Sequence, residues 1–184
     1  MLFFTAAGAR SGNMTLAVNA LFMQLYLLYS HFMDGFAYAG EALVGKYAGA
    51  ADKHSLRRCV SHLFAWGWSL AAIFAFAYGV FNHEVMLLFS DKPEVVAFAA
   101  AYRWWIALAP IAGMAAFIWD GVFVGLTATR QMLLSLAGAT AVYFAIYFLS
   151  PFPDTNNNLW TAFLTYLAVR GVILWLCFAR KNEY

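Results

Sequence analysis

Charged residues are scarce in this chain: Lys, Arg, Asp and Glu make up 11% of its 184 residues, whereas 64% are hydrophobic. A soluble domain carries about 25% charged residues, so this chain lacks the polar surface that a water-soluble protein needs. The formal net charge is only +2, and no patch mixes basic with aromatic residues, so no nucleic-acid partner is expected. The composition predicts an all-α, polytopic helical membrane protein in contact with the lipid bilayer.

Cysteines and catalytic motifs are also scarce. Cys59 and Cys177 are the only two cysteines, and they lack the C-x-x-C spacing of a metal or redox site. The sequence contains no nucleophile–base pair, phosphate-binding loop or H-E-x-x-H motif. We therefore expect neither an enzyme nor a cofactor, and the apolar runs become the main source of information.

Five apolar segments are long enough to cross a membrane, which takes about 20 residues. The first and third are longer than a bilayer core of about 30 Å requires. Pro110 predicts a kink in the third segment, and Pro151 and Pro153 are predicted to end the fourth. We treat residues 1–184 as one unit whose predicted spans are 14–45, 60–81, 95–126, 131–149 and 158–179.

The basic residues in the loops predict the orientation of the chain. Loop 46–58 carries four Lys or Arg residues, and Arg130 and the C-terminal tail add further positive charge on the same side. Loops 82–94 and 150–157, on the opposite side, are mainly acidic. Because Lys and Arg accumulate in cytoplasmic loops, we expect a cytoplasmic C-terminus and a location in the inner (plasma) membrane.

Four charged residues in the predicted spans are the candidate site residues. Asp34 and Glu41 lie in the first span, Asp120 lies in the third, and Arg170 lies in the fifth. At about 1.5 Å per residue, Asp34, Asp120 and Arg170 share one layer near the membrane midplane. Glu41 lies closer to the cytoplasmic interface. A charge at the bilayer centre costs at least about 3 kcal/mol, so these residues are expected to face a protein interior or an aqueous cavity.

Two interpretations of this charged layer remain open. Arg170 could form a structural ion pair with Asp34 or Asp120 that only neutralises both charges. One arginine cannot fully satisfy two carboxylates, however, and the remaining carboxylate favours binding of H⁺ or Na⁺. Asp120 is the preferred ion-binding residue and Asp34 is the second candidate. Glu41 could bind an ion or substrate as well, or contact only water and the basic loop.

Small, aromatic and methionine residues surround the two aspartates. The patterns Gly45-x-x-x-Gly49 and Gly121-x-x-x-Gly125 are typical of closely packed membrane helices. The larger side chains are expected first to pack and to contact lipid, but near a carboxylate they would also suit flat organic cations through cation–π contact. These side chains are Met23, Phe32, Met33, Phe36, Tyr38, Met114, Phe117 and Trp119.

In the segments that contain these residues, the chain resembles the multidrug and toxic compound extrusion (MATE) family, in particular its DinF-type branch. The resemblance is carried by FFTAAGARSGNMTLAVNALFMQLYLL, FMDGFAYAGEALVGKYAGA, AFIWDGVFVGLTATRQM and LTYLAVRGVILWL, in this order. It implies helices 8–12 of a twelve-helix transporter that exchanges H⁺ or Na⁺ for organic cations and amphipathic drugs. Asp120 then matches the acidic position of helix ten, and Asp34 and Glu41 belong to the helix-eight pattern.

The resemblance also implies a missing partner. The N-terminal lobe of such a transporter has no counterpart in this sequence, and alternating access needs two bundles that move around a central site. We therefore expect a partial, C-terminal-lobe chain that is inactive alone. The alternative is a non-transporting membrane module that assembles with a partner chain.

Overall fold

The computed structural model describes residues 2–9, 12–150 and 155–180, and these ranges are helical apart from short connections. A single 3₁₀ turn, Ala100–Tyr102, joins the fifth helix to the sixth. Pro151, Pro153 and Lys181, to which the sequence assigned roles as helix stops and as part of the basic tail, lie outside the described residues. The helices are α1 (Leu2–Ala9), α2 (Asn13–Gly49), α3 (Lys53–Val80), α4 (Asn82–Leu87), α5 (Pro93–Ala99), α6 (Arg103–Gly125), α7 (Thr129–Leu149) and α8 (Asn156–Arg180).

Five segments of the described chain are long and apolar enough to span a membrane. The all-α class and the five predicted spans are therefore confirmed, and the protein is a multi-pass membrane protein. A helix satisfies its own backbone hydrogen bonds, which is why long apolar runs in lipid adopt this form. The segments are Asn13–Gly49, Lys53–Val80, Pro93–Gly125, Thr129–Leu149 and Asn156–Arg180.

The connection between α2 and α3 is much shorter than the predicted loop 46–58. The helix α3 begins at Lys53, seven residues before the predicted start at 60, because Asp52 caps it. The Ser55 backbone N–H donates to Asp52 Oδ1 at 3.0 Å, and the hydrogen bonds from Ser55 hold the pKa of the Asp52 carboxyl below its ordinary value. Lys and Arg are good helix formers, so the basic residues after Asp52 form the first turns of α3.

The third span contains an interruption near its start that the sequence did not suggest. Pro93 occupies the first turn of α5, where its missing N–H costs nothing. The 3₁₀ turn follows, and α6 then continues through Pro110 as one helix. The Pro110 carbonyl accepts a hydrogen bond from the Tyr29 hydroxyl at 3.0 Å, which ties α2 to α6. A kink at Pro110 stays a prediction.

The helix α6 is the centre of the packed bundle and contacts α2, α3 and α8. Its approach to α2 depends on the absence of side chains at two glycines. A Cβ at Gly121 would collide with the Ala37 carbonyl, and one at Gly125 would lie 2.7 Å from the Glu41 carbonyl oxygen. The predicted packing role of Gly121-x-x-x-Gly125 is therefore confirmed. In the other pattern, Gly45 faces Gly125, but a Cβ added at Gly49 would meet no atom of another described element within 4 Å.

A buried polar network holds α2 against α8. The Trp160 ring N–H donates to the Asn19 side-chain oxygen at 2.9 Å, and the Asn19 amide donates to the Asn156 side chain at 2.7 Å. All three residues are buried. Because polar groups in an apolar interior need partners, this network fixes the register between the two helices that flank α6.

Candidate functional site

Asp120 of α6 and Arg170 of α8 form an ion pair inside the bundle. Arg170 Nη2 lies 2.6 Å from Asp120 Oδ2, and each side chain is 23% exposed. The two helices approach closely because Gly171 lies against α6: a Cβ there would be 2.9 Å from the Ala115 Cβ. The sequence predicted a contact between Arg170 and one of two aspartates, and the structure places that contact at Asp120.

The ion pair uses only part of the hydrogen-bonding capacity of its members. A single hydrogen bond joins them, whereas an arginine and a carboxylate often form two parallel bonds. Asp120 Oδ1 and Arg170 Nε are both buried and have no hydrogen-bond partner among the described residues. A buried polar atom without a partner costs free energy, so Asp120 Oδ1 is an acceptor available for a proton or a cation.

Asp34 of α2 lies within electrostatic range of Asp120 and is half-buried. Its carboxylate has no hydrogen bond or ion pair with any residue in the described ranges. When both aspartates are ionised, the three groups carry two negative charges and one positive charge. The arrangement therefore contains one carboxylate more than Arg170 can neutralise, which is the condition under which a cation or proton is attracted.

Glu41 is separated from this cluster. It lies two turns beyond Asp34 on α2, about 10 Å along the helix axis, and its residue is exposed. Its backbone packs against Gly125 of α6, where an added Cβ would lie 2.7 Å from the Glu41 carbonyl oxygen. The structure thus assigns Glu41 a packing position, and a role of its carboxylate in binding stays a prediction.

An aromatic cavity of about 460 Å³ lies beside the ion pair, with Arg170 in its wall. The Tyr143 hydroxyl, also in the wall, is buried without a hydrogen-bond partner among the described residues. Of the aromatic and methionine residues singled out from the sequence, Met23 and Phe117 line the cavity. The sequence reasoning missed the remaining aromatic walls, which come from α1, α2, α7 and α8: Phe3, Phe4, Tyr26, Tyr143, Phe144, Phe163 and Tyr166.

The donor set limits what the site can hold. In the described ranges, no group of three or more His, Cys, Asp or Glu side chains could hold a metal ion. Among the described residues, Asp120 Oδ1 is the unpartnered anionic acceptor of the ion pair, with the Asp34 carboxylate within electrostatic range, and so small a set of acceptors suits a proton or a single weakly held monovalent cation. A Na⁺ at Asp120 stays a prediction.

Comparison with known proteins is consistent with these features. The sequence profile of the MatE family matches residues 1–149, which include Asp34, Glu41 and Asp120. The chain is 31% identical over 170 residues to DNA damage-inducible protein F (DinF) of Escherichia coli, covering 92% of this chain and 37% of that protein. It is 23% identical over 172 residues to Protein DETOXIFICATION 45, chloroplastic, of Arabidopsis thaliana, covering 94% of this chain and 31% of the relative. Protein DETOXIFICATION 43 of the same plant is 25% identical over 167 residues, or 91% and 32% of the two chains. The chain therefore spans about a third of the length of these relatives.

Proposed function

This chain belongs to the MatE family, and we propose that it forms one lobe of an efflux transporter that exchanges H⁺ or Na⁺ for small organic cations or amphipathic drugs. The second lobe would be its partner, and no enzymatic activity is expected. We also propose a location in the inner membrane with a cytoplasmic C-terminus, on the basis of the Lys and Arg distribution between the loops.

The observation that carries this proposal is the half-satisfied Asp120–Arg170 pair between α6 and α8. Protonation of Asp120 would remove the negative charge that holds Arg170, and a Na⁺ at Oδ1 would compete with the guanidinium. Either event would weaken the link between the two helices. An ion that binds one helix arrangement better than another shifts the population towards it, and this is what coupling to transport requires.

The aromatic cavity beside the pair supports a substrate role for this lobe. Eight aromatic side chains line it, a composition that suits flat apolar compounds. Ring faces also attract organic cations, although the described lining residues include no carboxylate. We therefore propose that the cavity contacts the apolar part of a substrate, and that charge recognition depends on the neighbouring aspartates.

The test is dye efflux by a chimera in which this chain replaces the aligned 170-residue part of E. coli DinF. Asp120→Asn should abolish efflux of a cationic dye from cells while membrane insertion is unchanged. Asp91→Asn, the same substitution at an exposed position outside the spans, is the matched control and should keep efflux. Undiminished efflux by the Asp120→Asn chimera would contradict the assignment.

The coupling ion is tested in inverted membrane vesicles by imposing either a H⁺ or a Na⁺ gradient. An Asp120-dependent response to one gradient identifies the ion. If the unmodified chimera inserts but transports no dye under either gradient, the alternative is favoured: a membrane module that assembles with a partner without transporting.

A further inference from the structure

A groove of about 500 Å³ runs between α2 and α3 on the outside of the bundle, away from the charged site. It begins at Tyr47 and Ser55, beside the short connection between the two helices, and ends at Phe36 and Trp66. The eleven residue-to-residue steps from Phe36 to Tyr47 correspond to about 16 Å of helix. The groove thus extends from the end of two membrane-spanning helices towards the middle of the membrane.

The two ends of the groove differ in polarity. Arg58 lines the end near the connection, one turn after Ser55, and His62 lines the middle of the groove, one turn further along α3; both are exposed. Leu43 and then Ala39, one turn deeper, line the groove from α2, and Trp66, which is 66% exposed, lies at the far end. Arg58 near the entrance, with apolar side chains that continue past it to Trp66, matches the order of head group and acyl chain in a phospholipid.

The charges around the entrance are predominantly positive. Lys46 and the exposed Lys53 and Arg57 lie on the neighbouring turns, so the first turns of α3 combine basic side chains with the positive end of the helix dipole. Asp52 is the nearby acidic residue, and its carboxylate is engaged in capping α3. Arg58 has no ion pair with any residue of the described chain.

Acidic residues of α2 are directed away from the groove. Asp34 and Glu41 each lie two residues from a groove-lining position, Phe36 and Leu43, and two residues correspond to about 200° around a helix. Neither carboxylate lines the groove. The groove therefore combines an uncompensated basic entrance with an apolar floor.

We propose that this groove binds an anionic phospholipid. Its phosphate lies at Arg58, and one acyl chain follows Leu43 and then Ala39 towards Trp66. Basic pockets between membrane helices are suited to anionic head groups because each basic residue near the membrane surface contributes attraction that a zwitterionic lipid does not receive. The inference is independent of the proposed transport function, since it uses none of the residues of the charged cluster.

The first test is native mass spectrometry of the 184-residue chain in detergent, titrated with phosphatidylglycerol or phosphatidylcholine. Phosphatidylglycerol should bind more tightly, and Arg58→Gln should weaken it about five-fold, the equivalent of about 1 kcal/mol. Arg57→Gln is the matched control and should weaken binding less, because Arg57 carries the same charge one residue earlier but does not line the groove. Equal binding of the two lipids, or equal weakening by the two variants, would overturn the proposal.

The second test separates groove occupancy from general attraction to positive charge. Ala39→Trp leaves every charge in place but fills the apolar channel, and it should reduce phosphatidylglycerol binding at least as much as Arg58→Gln. Phosphatidylglycerol with brominated acyl chains should quench tryptophan fluorescence, and Trp66→Phe should remove part of that quenching. Unchanged lipid binding by Ala39→Trp, or unchanged quenching in Trp66→Phe, would show that the lipid does not occupy the groove.

Discussion

The Asp120–Arg170 pair is best tested by a double-mutant cycle on the free energy of unfolding, with Arg170→Gln, Asp120→Asn and the two combined. Each side chain is only 23% exposed, so removal of one partner leaves the other charge largely shielded from water. Breaking a buried pair costs about 3–5 kcal/mol. Partial exposure and protonation of the remaining carboxylate lower this cost, so Arg170→Gln should reduce the free energy of unfolding by about 2–3 kcal/mol at neutral pH.

The free energy of unfolding of the double variant should be within about 1 kcal/mol of that of the original chain, because the double variant leaves neither charge without its partner. Unfolding can be followed by tryptophan fluorescence in mixed micelles with increasing dodecyl sulfate. Acidification should recover the stability of Arg170→Gln, because protonation removes the uncompensated charge, and should have little effect on the double variant. Arg180→Gln, at an exposed position of the same helix, is the control and should change stability by less than about 0.5 kcal/mol. Strictly additive single effects would refute the pairing argument.

Two further predictions concern helix packing and capping. Gly121→Ala should destabilise the bundle by about 2 kcal/mol or more in the same unfolding assay, because its Cβ would meet the Ala37 backbone and force α2 and α6 apart. Gly35→Ala, with open space around the added Cβ, should instead stabilise by up to about 1 kcal/mol, and equal effects at the two glycines would contradict the packing. Asp52→Ala should accelerate hydrogen exchange of the Ser55 amide, since that amide loses its acceptor. In the original chain, protonation of the Asp52 carboxyl should weaken the same hydrogen bond as the pH falls through the lowered pKa of Asp52. An unchanged exchange rate of the Ser55 amide in Asp52→Ala would exclude the cap.

The helical fold was predictable from the apolar runs, because a chain in lipid must satisfy its backbone hydrogen bonds within each segment. The start of α3 was not predicted. Apart from Leu56, residues 53–58 are polar or basic, and a search for apolar runs assigns them to a loop. Their helical structure depends on the Asp52 cap and on the helix propensity of Lys and Arg, which hydropathy does not measure.

The candidate site was only partly predictable. Charges are so rare in the spans that Asp34, Asp120 and Arg170 were conspicuous in the sequence alone. The aromatic cavity was not, because aromatic residues are common throughout this chain, at 19%, and those that line the cavity come from distant segments such as Phe3 and Tyr143.

The sequence by itself determined the class of this protein, the number of its membrane spans and the short set of charged residues that need a partner inside them. These properties depend on composition and on local periodicity, and both can be read from the sequence directly. Only the tertiary structure decided that Arg170 pairs with Asp120 and not with Asp34, and that one carboxylate oxygen of the pair has no hydrogen-bond partner among the described residues. That choice depends on which helices approach closely, here through Gly171 against Ala115, and such an approach is a property of packed surfaces that no single segment contains.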